Sequence, residues 1–194
     1  AVMTVDNKTL IVSVPEKGEL VFIDTVAEKV LKRVEVEFQP TYLAVQQDRL
    51  YAARKGSPII TELDVATGKE RKQFKPAGEP VTALDCHPTK GLLYAANTRH
   101  QVLAIDREKG RVFVTKARGT MLAVDPGEGG FVYTGLQKPI EDKIVVEEKA
   151  GGKVLEISLA RVGARALMMK YRVEGAQLTA VSVNDNAALN GKSL

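Results

Sequence analysis

Tryptophan is absent from this sequence of 194 residues, which contains one cysteine and two histidines. Because Cys86 has no second cysteine to pair with, the chain cannot form an internal disulfide, and no cysteine and histidine residues have the spacing of a zinc site. Stretches without charge, such as 38–47 and 175–184, are 10 residues long, which is about half of the roughly 20 residues that a membrane helix needs. These absences exclude a disulfide scaffold and predict no metal, no cofactor and no membrane span.

The composition is that of a soluble globular protein. Hydrophobic residues make up 44% of the chain and charged residues 27%, which argues against disorder. The chain has 28 basic and 24 acidic residues, so its formal net charge is +4. Its length fits one domain, or part of a larger one, and is sufficient to bury a core.

Short strand-like motifs recur at intervals of about 40 residues, and this repeat decides the fold. One motif places an apolar residue before an acid or amide, and its central residues are spaced by 40, 39, 40 and 59 positions. A second motif is centred on tyrosine and alanine, and a third ends in an aspartate. The central residues of the first motif are Val5, Val45, Leu84, Val124 and Val183.

Each unit is predicted to hold four short β-strands, because runs rich in Val, Ile, Leu, Tyr and Thr alternate with Gly, Pro, Asn or Asp. A four-stranded sheet with two apolar faces must be covered on both sides, and a ring of such sheets achieves this. The sequence therefore predicts an all-β fold, a β-propeller of four-stranded antiparallel blades. The blades are expected at about 1–38, 39–77, 78–117 and 118–174, with 175–194 supplying the first strand of a fifth.

Several motifs resemble the YVTN-type β-propeller repeat, which is related to WD-repeat and quinoprotein propellers. They are VFIDT at 21–25, PTYLAV at 40–45, LYAA at 50–53 and LLYAAN at 92–97. The resemblance covers about 1–135 well and 151–194 loosely. It implies a bacterial protein with non-enzymatic binding surfaces, located in the periplasm or secreted.

Four blades are fewer than the usual six to eight, and three arrangements satisfy this number. The chain is part of a longer protein, or two copies complete one ring as a homodimer, or residues 176–183 overlap the first blade of a small four-bladed ring. The first arrangement is favoured.

The turns after the third strands follow a pattern. Asp64 and Asp106 each precede a short loop that ends in Gly68 or Gly110. Aspartate can accept hydrogen bonds from loop amides, and glycine tolerates a positive φ. We therefore expect the aspartates to hold turns rather than to bind calcium. In the first unit Glu28 replaces the glycine, so that turn is expected to differ.

Basic residues are concentrated in four segments, 29–36, 69–76, 107–118 and 161–173, each of which is expected to contain the outermost strand of a blade. Lysine and arginine on an edge strand discourage pairing with other chains. The alternative is a basic rim that attracts nucleic acid, but stacking aromatics are scarce on these segments. Edge protection is therefore the preferred interpretation, and nucleic acid is not the expected partner.

No catalytic constellation is found in the sequence. Cys86 and His87 are adjacent, and adjacent residues of a strand point to opposite faces, so they cannot act as a nucleophile and base pair. A quinoprotein-like oxidoreductase would need a tryptophan in each blade, and the chain has none. We expect a non-enzymatic scaffold that binds a protein or small ligand. The alternative is a non-catalytic domain of a larger enzyme, a hydrolase or a quinoprotein-like oxidoreductase, whose active site lies elsewhere.

Partners of propellers commonly dock on the loops between second and third strands. The fourth unit is longer than its siblings, and its surplus falls at 136–152, which is expected to form a solvated hairpin. The residues predicted to contact a partner, on position alone, are Arg54, Lys55, Asn97, Arg99, His100, Gln137 and Lys138.

Overall fold

The computed structural model describes residues 1–76, 78–125, 127, 130–147 and 154–185, of which 137–147, 154–167 and 182–185 are described as backbone. The described chain forms sixteen strands in four sheets, and the strands of each sheet follow one another in chain order as an antiparallel meander. Among the described residues, the one helix is a 3-10 turn at Pro15–Lys17, and no helix could span a bilayer. The predicted four-stranded antiparallel units are confirmed.

The bounds of the strands are as follows. Sheet 1 contains β1 (Val2–Met3), β2 (Thr9–Val14), β3 (Glu19–Asp24) and β4 (Lys29–Glu35). Sheet 2 contains β5 (Pro40–Gln46), β6 (Arg49–Arg54), β7 (Ile60–Asp64) and β8 (Glu70–Phe74). Sheet 3 contains β9 (Val81–Cys86), β10 (Leu92–Asn97), β11 (Gln101–Asp106) and β12 (Val112–Arg118). Sheet 4 contains β13 (Met121–Val124), β14 (Phe131–Glu147), β15 (Val154–Glu174) and β16 (Gln177–Asp185).

Sheet 4 differs from the sequence prediction. β15 is one long third strand, whereas two strands were expected within it, and β16 pairs with β15 as the fourth strand of the same sheet. The expected first strand of a fifth blade is therefore the outermost strand of the fourth. The turn at Gly175, which has a φ of +64°, is a tight hairpin between β15 and β16, whereas the sequence prediction placed a connection to a new blade at this point.

The core lies between successive sheets. Neighbouring residues of one strand enter different clusters: Leu50 packs between sheets 1 and 2, and Tyr51 packs between sheets 2 and 3. Leu93 and Tyr94 divide in the same way between the second interface and the third. Sheets 2 and 3 are therefore apolar on both faces, as the repeat predicts.

The aspartates that end the third strands hold the following turns. Asp24 Oδ1 accepts hydrogen bonds from the amides of Val26 and Ala27, each at 2.8 Å. Asp64 Oδ1 accepts one from Thr67 N at 2.7 Å, and Asp106 Oδ1 accepts one from Lys109 N at 2.9 Å. The structural role predicted for these aspartates is confirmed.

The turn after Asp24 was expected to differ from those after Asp64 and Asp106, but its backbone has the same left-handed residue at the same position. Glu28 has a φ of +51°, and Gly68 and Gly110 have φ values of +74° and +67°. A residue with a side chain is strained in this left-handed region, whereas glycine is not. The first unit therefore keeps the backbone of the repeat at a conformational cost.

We expect Glu28→Gly to stabilise the protein by about 0.5–1 kcal/mol, because relief of the left-handed strain outweighs the added freedom of the unfolded chain. Gly110→Ala is the matched reverse change, since a Cβ at Gly110 would meet no atom within 4 Å and only its φ matters. That variant should lose about 1 kcal/mol. Urea unfolding of both variants measures the two effects, and stabilisation by Gly110→Ala would contradict the account.

Asp64 should make stability depend on pH. A hydrogen bond from Arg71, followed by those from Thr67, lowers the pKa of the Asp64 carboxyl to about 2. A lowered pKa in the folded state stabilises the protein above the unfolded pKa, and this stabilisation is lost as pH falls toward the folded pKa. The native protein should therefore have a larger free energy of unfolding in urea than Asp64→Asn at neutral pH. This difference should disappear between about pH 4 and pH 2.

Glu16→Gln is the control for Asp64→Asn, because it removes the same charge from an exposed position in the 3-10 turn. The difference in the free energy of unfolding between Glu16→Gln and the native protein should change less over that pH range. An advantage of the native protein over Asp64→Asn that persists at pH 2 would refute the assignment.

Candidate functional site

The loops between second and third strands and the connections between sheets form one surface, which we call the loop face. Backbone hydrogen bonds join a loop to the adjacent connection in three successive sheets. Val36 N donates to Gly18 O at 2.8 Å, Val81 N to Ser57 O at 2.9 Å, and Thr98 N to Pro80 O at 3.0 Å. The expected location of these loops beside the connections is confirmed.

Arg54 and Lys55 are exposed on the loop face. The carbonyl of Arg54 accepts a hydrogen bond from Ser57 N at 3.1 Å, which closes the loop, and Lys55 N donates to Thr41 Oγ1 at 3.3 Å. Their backbones are therefore fixed, while both side chains extend from the surface. Both cationic groups are placed where a partner could reach them.

Asn97 does not serve as predicted, because its side chain is buried. Its Oδ1 accepts hydrogen bonds from the amides of Arg99 and Gln101, each at 3.0 Å, and its Nδ2 donates to Gln101 Oε1. The neighbouring Arg99 is exposed and pairs with Glu79 at 2.6 Å. Exposed His100 has a φ of +62°. Asn97 is therefore the residue that shapes the turn presenting Arg99 and His100.

Gln137 and Lys138 do not lie in a loop. Both belong to β14 and pair with Ala166 and Arg165 of β15, and the pairing of the two strands continues as far as Glu147 and Val154. The surplus at 136–152 therefore lengthens two strands of sheet 4, while 148–153 falls outside the described residues. The side chains of Gln137 and Lys138 lie outside the described part of the structure.

A groove of about 600 Å³ lies between sheets 1 and 2 and reaches Arg54. One wall is β4 and the connection after it, and the other is formed by β7 and β8. Val34, Val36, Phe38, Ile59 and Leu63 give the groove an apolar lining, and Thr61 and Ser57 add hydroxyl groups. The charged side chains that line it are Glu35, Glu37, Glu70, Arg54 and Lys69.

A second depression of about 530 Å³ adjoins this groove, and Arg54, Val36, Glu37 and Phe38 line both. It extends to the loop at Pro15–Gly18. Arg54 therefore borders both concavities between sheets 1 and 2. A third depression lies between sheets 3 and 4 and is lined by Arg99, His100 and Leu136, among others.

The groove exists because a small residue occupies one position of the repeat. In sheet 2, Phe74 is buried between sheets 2 and 3. It pairs with Ile60, and Ile60 lies four residues before Asp64. The equivalent residue of sheet 1 is Val34, which pairs with Leu20, four residues before Asp24. The valine leaves open the space that the phenylalanine fills at the next interface.

One end of the groove is closed by a contact between Gly68 and Val34. A Cβ on Gly68 would lie 2.6 Å from Val34 Cγ2, and the φ of Gly68 is +74°. Glycine is therefore required here both by its backbone conformation and by the approach of the neighbouring sheet. The groove was missed from the sequence because the repeat aligns Val34 with Phe74 but does not show how closely sheets 1 and 2 pack around the smaller side chain.

Three basic side chains of the basic segments are engaged by groups within the protein. Lys32 Nζ donates to Val65 O at 2.7 Å, and Lys72 Nζ donates to Arg107 O. Each lysine thus binds the turn after the third strand of the next sheet. Arg71 pairs with Asp48 and Asp64. The segment 161–173 lies in β15 and is not an outermost strand, which corrects the prediction made for it.

Burial determines the protonation of two groups near the interface between sheets 2 and 3. It raises the pKa of the Cys86 thiol well above its usual range, and it raises the pKa of Tyr51 to about 12. Cys86 is therefore a protonated core residue and not a nucleophile. His87 Nδ1 accepts hydrogen bonds from Thr89 N and Lys90 N, at 3.2 and 3.0 Å, in the turn that follows β9.

Asp85 links sheets 3 and 4. Its Oδ2 accepts a hydrogen bond from Val124 N at 2.7 Å, and its Oδ1 accepts one from Cys86 N at 2.8 Å. Burial raises the pKa of this carboxyl against the effect of both hydrogen bonds. Within the described ranges, no three His, Cys, Asp or Glu residues are grouped so that they could hold a metal ion.

No protein-family model matches the chain, and no curated protein matches it. Solved structures do match. Hydrazine synthase of Kuenenia stuttgartiensis is 19% identical with a TM-score of 0.68, and the match covers 94% of this chain and 47% of that one. The chain therefore spans about half the length of that protein.

Two further structures are similar in fold. A chain in a crystal structure of the mitotic checkpoint complex is 13% identical with a TM-score of 0.60, over 94% of this chain and 63% of the other. The β-propeller domain of Cps50 (Swd1) from Myceliophteria thermophila is 12% identical with a TM-score of 0.59. That match covers 97% of this chain and 71% of the other. These identities establish the fold alone. The four-stranded sheets and the neighbours together show that this chain has the β-propeller fold, with each sheet as one blade.

Proposed function

We propose that this chain is a non-enzymatic binding module, and that it holds an extended segment of a partner protein in the groove between sheets 1 and 2. The observation that carries the proposal is the groove itself, a cleft of about 600 Å³ with both apolar and charged lining residues that reaches Arg54 on the loop face. Its volume lies in the range of ligand sites, about 300–1,000 Å³. The proposal needs no cofactor.

An extended peptide suits this groove better than a compact small ligand. β4 and β8 are the outermost strands of sheets 1 and 2, so each is hydrogen-bonded to a strand on one side only. Free backbone groups at a groove edge can bind a peptide backbone, and apolar pockets between them take alternate side chains. Charges of both signs line the cleft and can fix the direction of the peptide.

Nucleic acid is not the proposed partner. Lys32 and Lys72 already donate to backbone carbonyls of the next sheet, and Arg71 is paired with two aspartates. Polyanion binding relies on basic groups that are free to neutralise phosphates. The similarity to a chain of the mitotic checkpoint complex supports a protein partner by analogy of fold. We also propose that the repeats of this chain are of the YVTN type.

A domain of a larger enzyme is the second candidate function. Hydrazine synthase is an enzyme by its name, and the matched region is 47% of its chain. In this case the active site would lie outside the 194 residues and the groove would recruit a substrate or another domain. Reading the open reading frame on both sides of the segment separates the two candidates.

Val34→Phe should weaken peptide binding strongly, because its ring would fill the groove as the ring of Phe74 fills the space between sheets 2 and 3. Short peptides are selected on the native protein from a phage-displayed library of random sequences, and their affinity is then measured by fluorescence anisotropy. We expect Val34→Phe to weaken binding at least about tenfold, which corresponds to about 1.4 kcal/mol. Arg54→Ala should weaken it as well, since Arg54 is exposed and borders the groove.

Val112→Phe is the matched control, because Val112 is exposed on β12 of sheet 3 and does not line the groove. It should bind the selected peptides like the native protein. Thermal unfolding of each variant verifies that the fold is retained. Equal binding by Val34→Phe and Val112→Phe, or a selection that enriches no peptide, would overturn the proposed site.

A further inference from the structure

The two ends of the row of sheets present faces that no described core cluster covers. The three clusters join sheet 1 to 2, sheet 2 to 3, and sheet 3 to 4. None of them, within the described part of the chain, joins sheet 4 to sheet 1. Sheet 1 thus has an outer face turned away from sheet 2, and sheet 4 has an outer face turned away from sheet 3.

The outer face of sheet 1 carries an apolar row across all four strands. Met3 pairs with Leu10, Leu10 with Ile23, and Ile23 with Val30, so the four side chains lie side by side. Met3 is 42% exposed and Val30 is 48% exposed. The adjacent row on the inner face contains Ile11 and Phe22, which are fully buried against sheet 2. The outer row has the composition of a blade interface without its neighbour.

The outer face of sheet 4 has the same character. Met121, Gly135 and Met168 form one row, in which Met121 is 55% and Met168 is 52% exposed. Lys170 pairs with Tyr133 in the next row, and its Nζ lies 3.8 Å from the centre of the Phe131 ring. The inner face of this sheet, with Val132 and Tyr171, is buried against sheet 3.

These rows include four of the large hydrophobic side chains that the described chain exposes, namely Met3, Val30, Met121 and Met168. Exposed apolar residues gathered on one face indicate an interaction surface. The charged strand residues of the two faces are also complementary. Among the side chains that the structure describes, sheet 1 presents Glu19, Glu35 and Arg33, with one acid in excess, and sheet 4 presents Lys170, Arg172 and Glu174, with one base in excess.

We infer that the outer face of sheet 1 packs on the outer face of sheet 4 of a second copy of this chain, so that two chains close one propeller ring. The contact continues the interface that already joins successive sheets within the chain. Two copies of four blades give eight, which is within the range of four to eight found in propellers, whereas three copies would give twelve. A twofold axis makes the two contacts between the chains identical and closes the ring.

Light scattering coupled to size-exclusion chromatography tests the ring. The native chain should have twice the mass of 21.1 kDa expected for one copy. Val30→Glu on sheet 1 and Met168→Glu on sheet 4 should each shift the mass to one copy, because either change places an unpaired charge in both contacts of the ring. Circular dichroism verifies the fold, and Met3→Glu and Met121→Glu replace either variant that unfolds.

Mixing the two variants gives the decisive result. Val30→Glu keeps an intact sheet 4, and Met168→Glu keeps an intact sheet 1, so an equimolar mixture can form one native contact that neither variant forms alone. The mixture should therefore recover a two-chain species, while Val114→Glu, changed at an exposed position of β12, stays dimeric throughout. A native chain that is monomeric, with its outer faces covered instead by other blades, would overturn the inference. So would a dimer that survives Val30→Glu and Met168→Glu.

Discussion

The structure depends on the burial of both faces of a thin sheet. Leu50 and Tyr51 are consecutive residues of β6, both are fully buried, and they belong to different interfaces. Since side chains alternate across a strand, such a sheet loses its stabilising contacts unless it has a neighbour on each side. Packing between sheets, more than hydrogen bonding within them, therefore determines how the described chain is arranged.

Polar groups add a second set of links between neighbouring sheets. Lys32 and Lys72 reach the turns of the next sheet at the outer strands, and Asp85 accepts a hydrogen bond from Val124 N at the first strands. Gln46 Nε2 donates to the carbonyls of His87 and Pro88. Apolar packing has no direction, so these hydrogen bonds are suited to set the relative position of the sheets.

The sequence was sufficient to predict the fold through its repeat and the aspartates that end third strands. It was insufficient in sheet 4, because β15 continues as one strand through 159–165, where a break was expected, and the boundary at Gly175 is a hairpin turn rather than a connection between blades. At the candidate site, the exposed loop position of Arg54 could be predicted, while its contact with a partner is a proposal. Asn97 could not, since its amide serves the backbone of its own turn, and the groove could not, since it depends on the size of Val34 relative to Phe74.

The acceptors used by Lys32, Lys72 and Gln46 are all main-chain carbonyls of the following unit. A carbonyl is present whatever side chain the position carries. A unit copied by gene duplication would therefore find acceptors in its new neighbour without any compensating substitution there. This feature of the hydrogen bonding lets an array of such units grow in evolution while the sequences of its members diverge.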